Sequence, residues 1–227
     1  MKIASIFLKK KLDKNTDHFL DNSQIHYLKK VLKLKEGEEL LIFDGDGNKY
    51  ISIFNGKDAT QIKELVTKPE TFNTSVLIPF LKKSQFEFML QKCVEIGVKN
   101  IIVYISKKSK STFSFHKEIN KIDRYEEIIK SAFLQSENFY LPKLEIIQSV
   151  DSFDFSGFSS ICVLDQFATN TISSDKKYDL LISGGEFGFD EQEREIFNKN
   201  QATYMNLGEN ILRAETAPLV ALSKINI

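Results

Sequence analysis

The sequence predicts an α/β fold: a parallel-sheet domain preceded by a smaller all-β segment built around one helix. Three observations lead there. The apolar run 76–81, the helix-periodic stretch 84–97 and the apolar run 101–105 form a β-α-β unit, which calls for a parallel strand pair. Near the C-terminus, the runs 178–182 and 202–207 each open into a glycine-bearing loop followed by a helix start. In open α/β sheets that is where ligands bind. Residues 1–68 carry short β-like runs instead.

In chain order, 2–7, 39–43 and 50–54 read as strands, and the turn Asp44-Gly45-Asp46-Gly47-Asn48 joins the last two as a hairpin. Ile25, Leu28, Val31 and Leu32 recur at helical spacing within 21–34, with Asn22 or Ser23 as the cap. A helix among strands suggests a small barrel. The polar stretch 66–74, with Pro69, marks the boundary, so the expected domains are 1–70 and 71–227. Phe86, Met89, Leu90, Cys93 and Val94 share one face of helix 84–97, and Gly97 can stop it. Residues 107–117, KKSKSTFSFHK, read either as a basic loop suited to phosphates and stacked bases or as a plain surface loop. A helix over 119–139 and strands at 144–147 and 160–165 bring the sheet to about six strands. Asp190 stands three residues before Glu193, a capping-box spacing, and Pro218 opens the last helix.

Composition excludes several classes. With 227 residues, 42% hydrophobic and 27% charged, the chain is globular rather than disordered. No run approaches a membrane-crossing length, and the N-terminal apolar run is too short for a signal peptide, so a cytoplasmic location is expected. Cys93 and Cys162 lie far apart in apolar contexts, as buried reduced thiols would, and no metal-ligand spacing exists. The net charge of zero hides an asymmetry. Residues 1–110 hold 20 Lys/Arg against 13 Asp/Glu, and residues 111–227 hold 11 against 18. Such a split is expected when one part of a chain meets nucleic acid, although lysines can also merely solvate a surface.

The turn after 178–182 holds Gly184, Gly185 and Gly188 but also Glu186. A carboxylate there repels a pyrophosphate, and the spacing fails both GxGxxG and GxxxxGK[ST]. The turn suits a ligand with hydroxyls or positive charge. A second cluster, Asn210, Arg213, Glu215 and Thr216, follows Gly208.

GGEFGFDEQE resembles GPEGGFSxxE, and LGENILRAETAPLVAL resembles LGxRILRxETAxxxAL. Both are motifs of the RsmE family of SPOUT methyltransferases, which use S-adenosylmethionine to methylate N3 of a uridine in 16S ribosomal RNA, in the decoding-centre region. HYLKKVLKLKEGEELLIFDGDGNKY is similar to the family's PUA-like RNA-binding barrel, and LKKSQFEFMLQKCVEIGVKNIIVYISKKS to the start of its methyltransferase domain. The resemblance implies a PUA-like barrel followed by a trefoil-knotted SPOUT domain, 16S ribosomal RNA or the small ribosomal subunit as partner, and a homodimer. It implies a cofactor cleft formed by Leu164, Ser183, Gly184, Gly185, Glu186, Gly188, Leu207, Gly208, Ile211, Leu212, Thr216 and Ala217. RNA contacts are expected at His26, Lys29, Lys30, Lys33, Lys82, Lys107, Lys108, Lys110, Gln135 and Ser136, with a structural role open for His26.

Arg213 is the candidate to face the uracil and offset charge at N3, a salt bridge to Glu215 or Glu186 being the alternative. Glu186 and Glu215 are candidate bases, and solvent is a third. The other arginines, Arg124 and Arg194, read as solvated helix charges. Gly185, Phe187 and Asn210 replace the family's Pro, Gly and Arg, and an arginine is missing near Asn138. Those departures keep two other readings open: a SPOUT enzyme with another target nucleotide, or a non-catalytic RNA-binding protein.

Overall fold

Residues 3–14, 16–109 and 111–226 are described by a computed structural model. They fall into two units: Met1–Thr71 with Phe133–Leu141, and Phe72–Ala132 with Pro142–Ile227.

The first unit holds β1 (Ala4–Phe7), β2 (Asp17–Phe19), α1 (Asn22–His26), β3 (Glu39–Phe43), β4 (Asn48–Phe54) and β5 (Ala59–Thr67). Its sheet runs β1-β3-β4-β5-β2, parallel only between β1 and β3. Period-two burial along β4 turns Tyr50, Ser52 and Phe54 inward, onto a core with Leu28, Leu40, Ile42 and Ile62. Ser52 escapes the cost of burying a hydroxyl by donating to the Leu40 carbonyl at 2.9 Å and accepting from Thr60 at 2.6 Å. In the β3–β4 hairpin, the Asp44 carboxylate accepts the amides of Asp46 and Asn48 at 2.9 and 3.0 Å.

Four details differ from the sequence reading. The helix is capped by Asp21, not by Asn22 or Ser23, in a reciprocal capping box with Gln24. It also widens into a π-helical turn over Tyr27–Val31 and ends before Lys33, which sits at φ +55°. Strands β2 and β5 were not anticipated, because the charges of Lys63 and Glu64 mask the alternation of β5. Phe133–Leu141 belongs with this unit although the expected boundary puts it in the second domain: Phe133 meets Phe7 and Phe43 edge-on, and Phe139 meets Phe43.

The second unit contains β6 (Ser75–Pro79), α2 (Lys83–Ile96), β7 (Asn100–Tyr104), α3 (Phe115–Ile119), α4 (Ile122–Ser136), β8 (Lys143–Ile147), β9 (Ile161–Leu164), β10 (Leu180–Ser183), α5 (Glu191–Lys199), β11 (Thr203–Met205) and α6 (Ala217–Ile225), the last turn of α4 excepted. All its strand pairs are parallel, in the order β11-β9-β10-β6-β7-β8. The middle strands are buried throughout, which is why they read as continuous apolar runs rather than alternating ones. The stretch expected as one helix over 119–139 is broken between α3 and α4. There the buried Glu118 carboxylate accepts from the Tyr125 hydroxyl at 2.6 Å and from Lys121 Nζ at 2.9 Å.

Cys93 and Cys162 are free and buried, and burial pushes both thiols up to about 12. No helix among the described residues is long and apolar enough to cross a membrane, and no group of His, Cys, Asp or Glu among them could hold a metal ion.

Helix α2 stops at Gly97, whose φ of +104° suits only glycine and whose missing Cβ would overlap the Phe72 ring. Gly97→Ala should therefore lower the unfolding free energy by about 2–3 kcal/mol, read from urea denaturation. A loss below about 0.5 kcal/mol would show that Phe72 and the backbone relax freely.

Candidate functional site

Strands β9, β10 and β11 lie side by side and parallel, so the loops leaving their C-terminal ends emerge together. They enclose a cleft of about 580 Å³, within the size range of small-molecule sites.

Asn206 ties two of these loops to each other. Its Nδ2 donates to the Ala168 carbonyl and its amide to the Asn170 carbonyl, both at 2.7 Å. Its Oδ1 accepts from Thr171 Oγ1 at 2.8 Å and from the Gly208 amide at 3.1 Å. Gly208 then turns at φ +130°, a backbone state open essentially to glycine alone. In the β10 loop, Gly188 donates to the Gly185 carbonyl at 2.9 Å, closing a tight turn with Glu186 and Phe187 at its tip. A side chain at Gly184 would press on the Gly188 Cα at 3.2 Å and the Phe189 ring at 3.3 Å.

Of the residues expected to cradle a cofactor, Leu164, Ser183, Gly184, Gly185, Glu186 and Gly188 line the cleft, as do Leu207, Gly208, Ile211, Leu212 and Ala217. Thr216 does not. It occupies the N-cap of α6, with its amide donating to the Arg213 carbonyl at 2.9 Å. Arg213 lines the cleft with its side chain 80% exposed, Nη1 standing 4.0 Å from Glu215 Oε1. At that separation the pair is a weak tether. The buried Glu215 has both carboxylate oxygens in reach of Gln85 Nε2, at 3.3 and 3.4 Å. Glu186 pairs with Lys82 at 3.7 Å.

The expected RNA-contact residues divide between the units. His26, Lys29, Lys30 and Lys33 are exposed around α1 and the turn after it, and Gln135 and Ser136 also belong to the first unit. Lys82 and Lys108 are exposed in the second unit. Lys108 reaches the Phe187 carbonyl at 2.9 Å. Lys107 is engaged within the fold, its ammonium 3.1 Å from Asp151 and 2.6 Å from Gln192. Lys110 lies outside the described residues.

The reading of Arg194 as a solvated charge is corrected. It lines the cleft, pairs with Asp165 and lies over the rings of Phe189 and Tyr204 at 5.8 and 5.9 Å. Arg124 also carries a partner, Glu87 at 2.7 Å. Gln85, Asp165 and Asn206 were missed as well. The only signal for Asp165 was its position at a strand end, and Gln85 comes from a distant helix that only the fold brings near.

Can this cleft hold S-adenosylmethionine? Ser183 Oγ and Gln85 Oε1, both in its wall, are buried without a hydrogen-bond partner among the described residues, so the wall has polar capacity that internal bonds do not use. Asp165, Glu186 and Glu215 lend carboxylates suited to hydroxyl or cationic groups. By contrast, the first turn of α5 satisfies itself: Asp190 accepts the Glu193 amide at 2.7 Å and Glu193 accepts that of Asp190 at 3.0 Å. That arrangement leaves a poor phosphate site. The residues fit a cationic nucleoside better than a dinucleotide.

Residues 68–226 match the family described as the RNA methyltransferase domain, and residues 20–64 match the RNA methyltransferase PUA domain. Ribosomal RNA small subunit methyltransferase E of Buchnera aphidicola subsp. Acyrthosiphon pisum is 31% identical, over 99% of this chain and 93% of its own length. This chain belongs to the RsmE family of RNA methyltransferases. The RsmE protein of Rickettsia conorii is 26% identical, over 100% of this chain and 96% of its own. A crystal structure of the Neisseria gonorrhoeae protein of that name, bound to S-adenosyl methionine, superposes with a TM-score of 0.82. It is 23% identical and covers 97% of this chain and 95% of its own, so it shows the shared fold. The expected architecture, a PUA-like unit and a parallel α/β methyltransferase unit, agrees with the family's two domains.

Arg194→Ala removes the partner of a carboxylate whose side chain is only 9% exposed. It should destabilise the fold by about 2–3 kcal/mol in urea, and Asp165→Asn in the same background should recover part of that loss. Additive losses in the double variant would show that the two side chains do not couple.

Proposed function

We propose that this RsmE-family chain methylates N3 of a uridine in 16S ribosomal RNA of the small subunit, with S-adenosylmethionine as donor, in the decoding-centre region. The observation that carries the reading is Arg213, an exposed guanidinium held only loosely on the wall of a cleft otherwise rich in carboxylates. Support for the substrate comes from the relatives named above, and support for the donor from the fit of the cleft.

Leu164, Ser183, Gly184, Gly185, Leu207, Gly208, Ile211 and Leu212 would hold the cofactor, glycine backbone allowing close approach. Bound there, S-adenosylmethionine would supply a methyl carbon activated by a sulfonium, with a neutral thioether as the leaving group. The uridine N3–H must lose its proton as N3 forms the new bond to carbon. Arg213 offsets the negative charge that gathers on N3 and the flanking carbonyl oxygens. Glu215, kept in place by Gln85, is one acceptor for the proton; Glu186 and solvent are the others. On this reading residues 1–70 form the PUA-like domain that grips RNA through His26, Lys29, Lys30 and Lys33, and residues 71–227 form the methyltransferase domain, apart from Phe133–Leu141, which pack with the first unit. The enzyme works in the cytoplasm as a homodimer.

The test is methyl transfer to small ribosomal subunits that lack the modification, paired with calorimetric titration of S-adenosylmethionine. Arg213→Ala should cut turnover about 100-fold or more while donor affinity stays unchanged. Near-normal turnover in that variant would remove Arg213 from the mechanism. Failure of the unaltered protein to bind the donor would remove the function itself.

A further inference from the structure

Each of the three cleft loops holds one large apolar side chain out in solvent. Phe167, Phe187 and Ile211 are 80%, 67% and 80% exposed, and all three line the cleft. Phe187 is the one whose surroundings indicate what it meets. It sits at the tip of the Gly185–Gly188 turn, and Lys108 Nζ donates to its own carbonyl at 2.9 Å. The backbone behind the ring is thus fixed while the ring itself stays outside the core. A rigid aromatic presented this way loses little freedom when something lies against it.

The charge nearby favours one kind of partner. Lys108 anchors the turn, Lys82 pairs with the adjacent Glu186, and Arg213 shares the cleft. Lys82 and Arg213 are 73% and 80% exposed. An apolar protein surface docking on Phe187 would have to strip water from these cations. A nucleic acid strand would instead neutralise them with phosphate while offering a base to the ring.

We propose that Phe187 is a stacking platform for an unpaired nucleobase of the RNA substrate at the cleft. The inference rests on the proposed methylation of RNA in this cleft and adds a substrate-binding contact to it. It also gives a use to a side chain that stands where the RsmE motif has glycine.

The experiment measures binding of a single-stranded oligouridylate of about ten nucleotides by fluorescence anisotropy, at several salt concentrations. Calorimetric titration of S-adenosylmethionine and the mass of the particle by light scattering are measured on the same proteins. Phe187→Ala and Phe187→Leu should each weaken oligouridylate binding about tenfold, and Phe187→Tyr should keep it. The slope of log affinity against log salt should not change, because stacking releases no counterions. Donor affinity should not change either. RNA affinity in Phe187→Ala equal to that of the unaltered protein would overturn the proposal, as would full retention by Phe187→Leu, which would reduce the ring to apolar bulk. A smaller particle in Phe187→Ala would overturn it in favour of contact between copies of the chain. Unaltered protein that binds neither donor nor RNA would overturn the function and the inference together; normal donor binding with no effect of Phe187 on RNA overturns the inference alone.

Discussion

Parallel pairing of β9 with both β10 and β11 is the constraint on which the site depends. Three strands pointing the same way, β9 and β10 buried along their length and β11 at the sheet edge, must release their loops at the same end of the sheet. Much of the polar lining is then arranged by local chemistry within those loops, with Gln85 added from α2 and Arg194 from α5. Asn206 bonds the β9 loop to the β11 loop, and the Gly185–Gly188 turn folds the β10 loop back on itself. A slip in the strand register would misalign all three at once. The precision of the site therefore comes from the core beneath it more than from any contact across it.

The two arginines of the cleft show how that core divides labour between like side chains. Arg194 leaves α5 beside a nearly buried carboxylate and two aromatic faces, so its charge is satisfied within the fold. Arg213 leaves a loop, and Glu215 Oε1 stands 4.0 Å from its Nη1 and is already within reach of Gln85. A guanidinium so weakly tied is free to turn towards charge in front of it, which the proposed role requires, at the cost of ordering its side chain. Identity of residue type says nothing about which of these roles an arginine takes; the supporting contacts decide.

That distinction also marks how far the sequence could be read. The β-α-β unit from β6 to β7, the capping box at Asp190 and Glu193 and the proline opening α6 were all legible, because each depends on residues close together in the chain. So were the glycine loops, since a turn at φ +130° leaves few options besides glycine. Arg194 was misread because its partner Asp165 lies in another element of the sheet unit, and helical periodicity cannot report a long-range ion pair. Gln85 was invisible as a support for Glu215 for the same reason. The break between α3 and α4 was missed because the apolar stripe continues across it while a buried carboxylate, Glu118, sets the bend. The π-helical turn after α1 likewise leaves no mark on the spacing of apolar residues.

The departures from the RsmE motifs fall in a telling place. Phe187 and Asn210 are both exposed residues of the cleft loops, whereas Ser183, whose hydroxyl awaits a partner, is buried in the wall beneath. Gly185 standing for proline leaves the turn intact, because its carbonyl still accepts the Gly188 amide. The loss of charge at Asn210 removes a long-range attraction for phosphate that a neutral amide cannot replace. An aromatic ring at Phe187 offers a short-range contact that salt does not screen. If the cleft receives RNA as proposed, the exchange shifts recognition from the backbone charge of the strand towards the face of a base, while the departure at Gly185, among the residues that would hold the donor, leaves its turn closed.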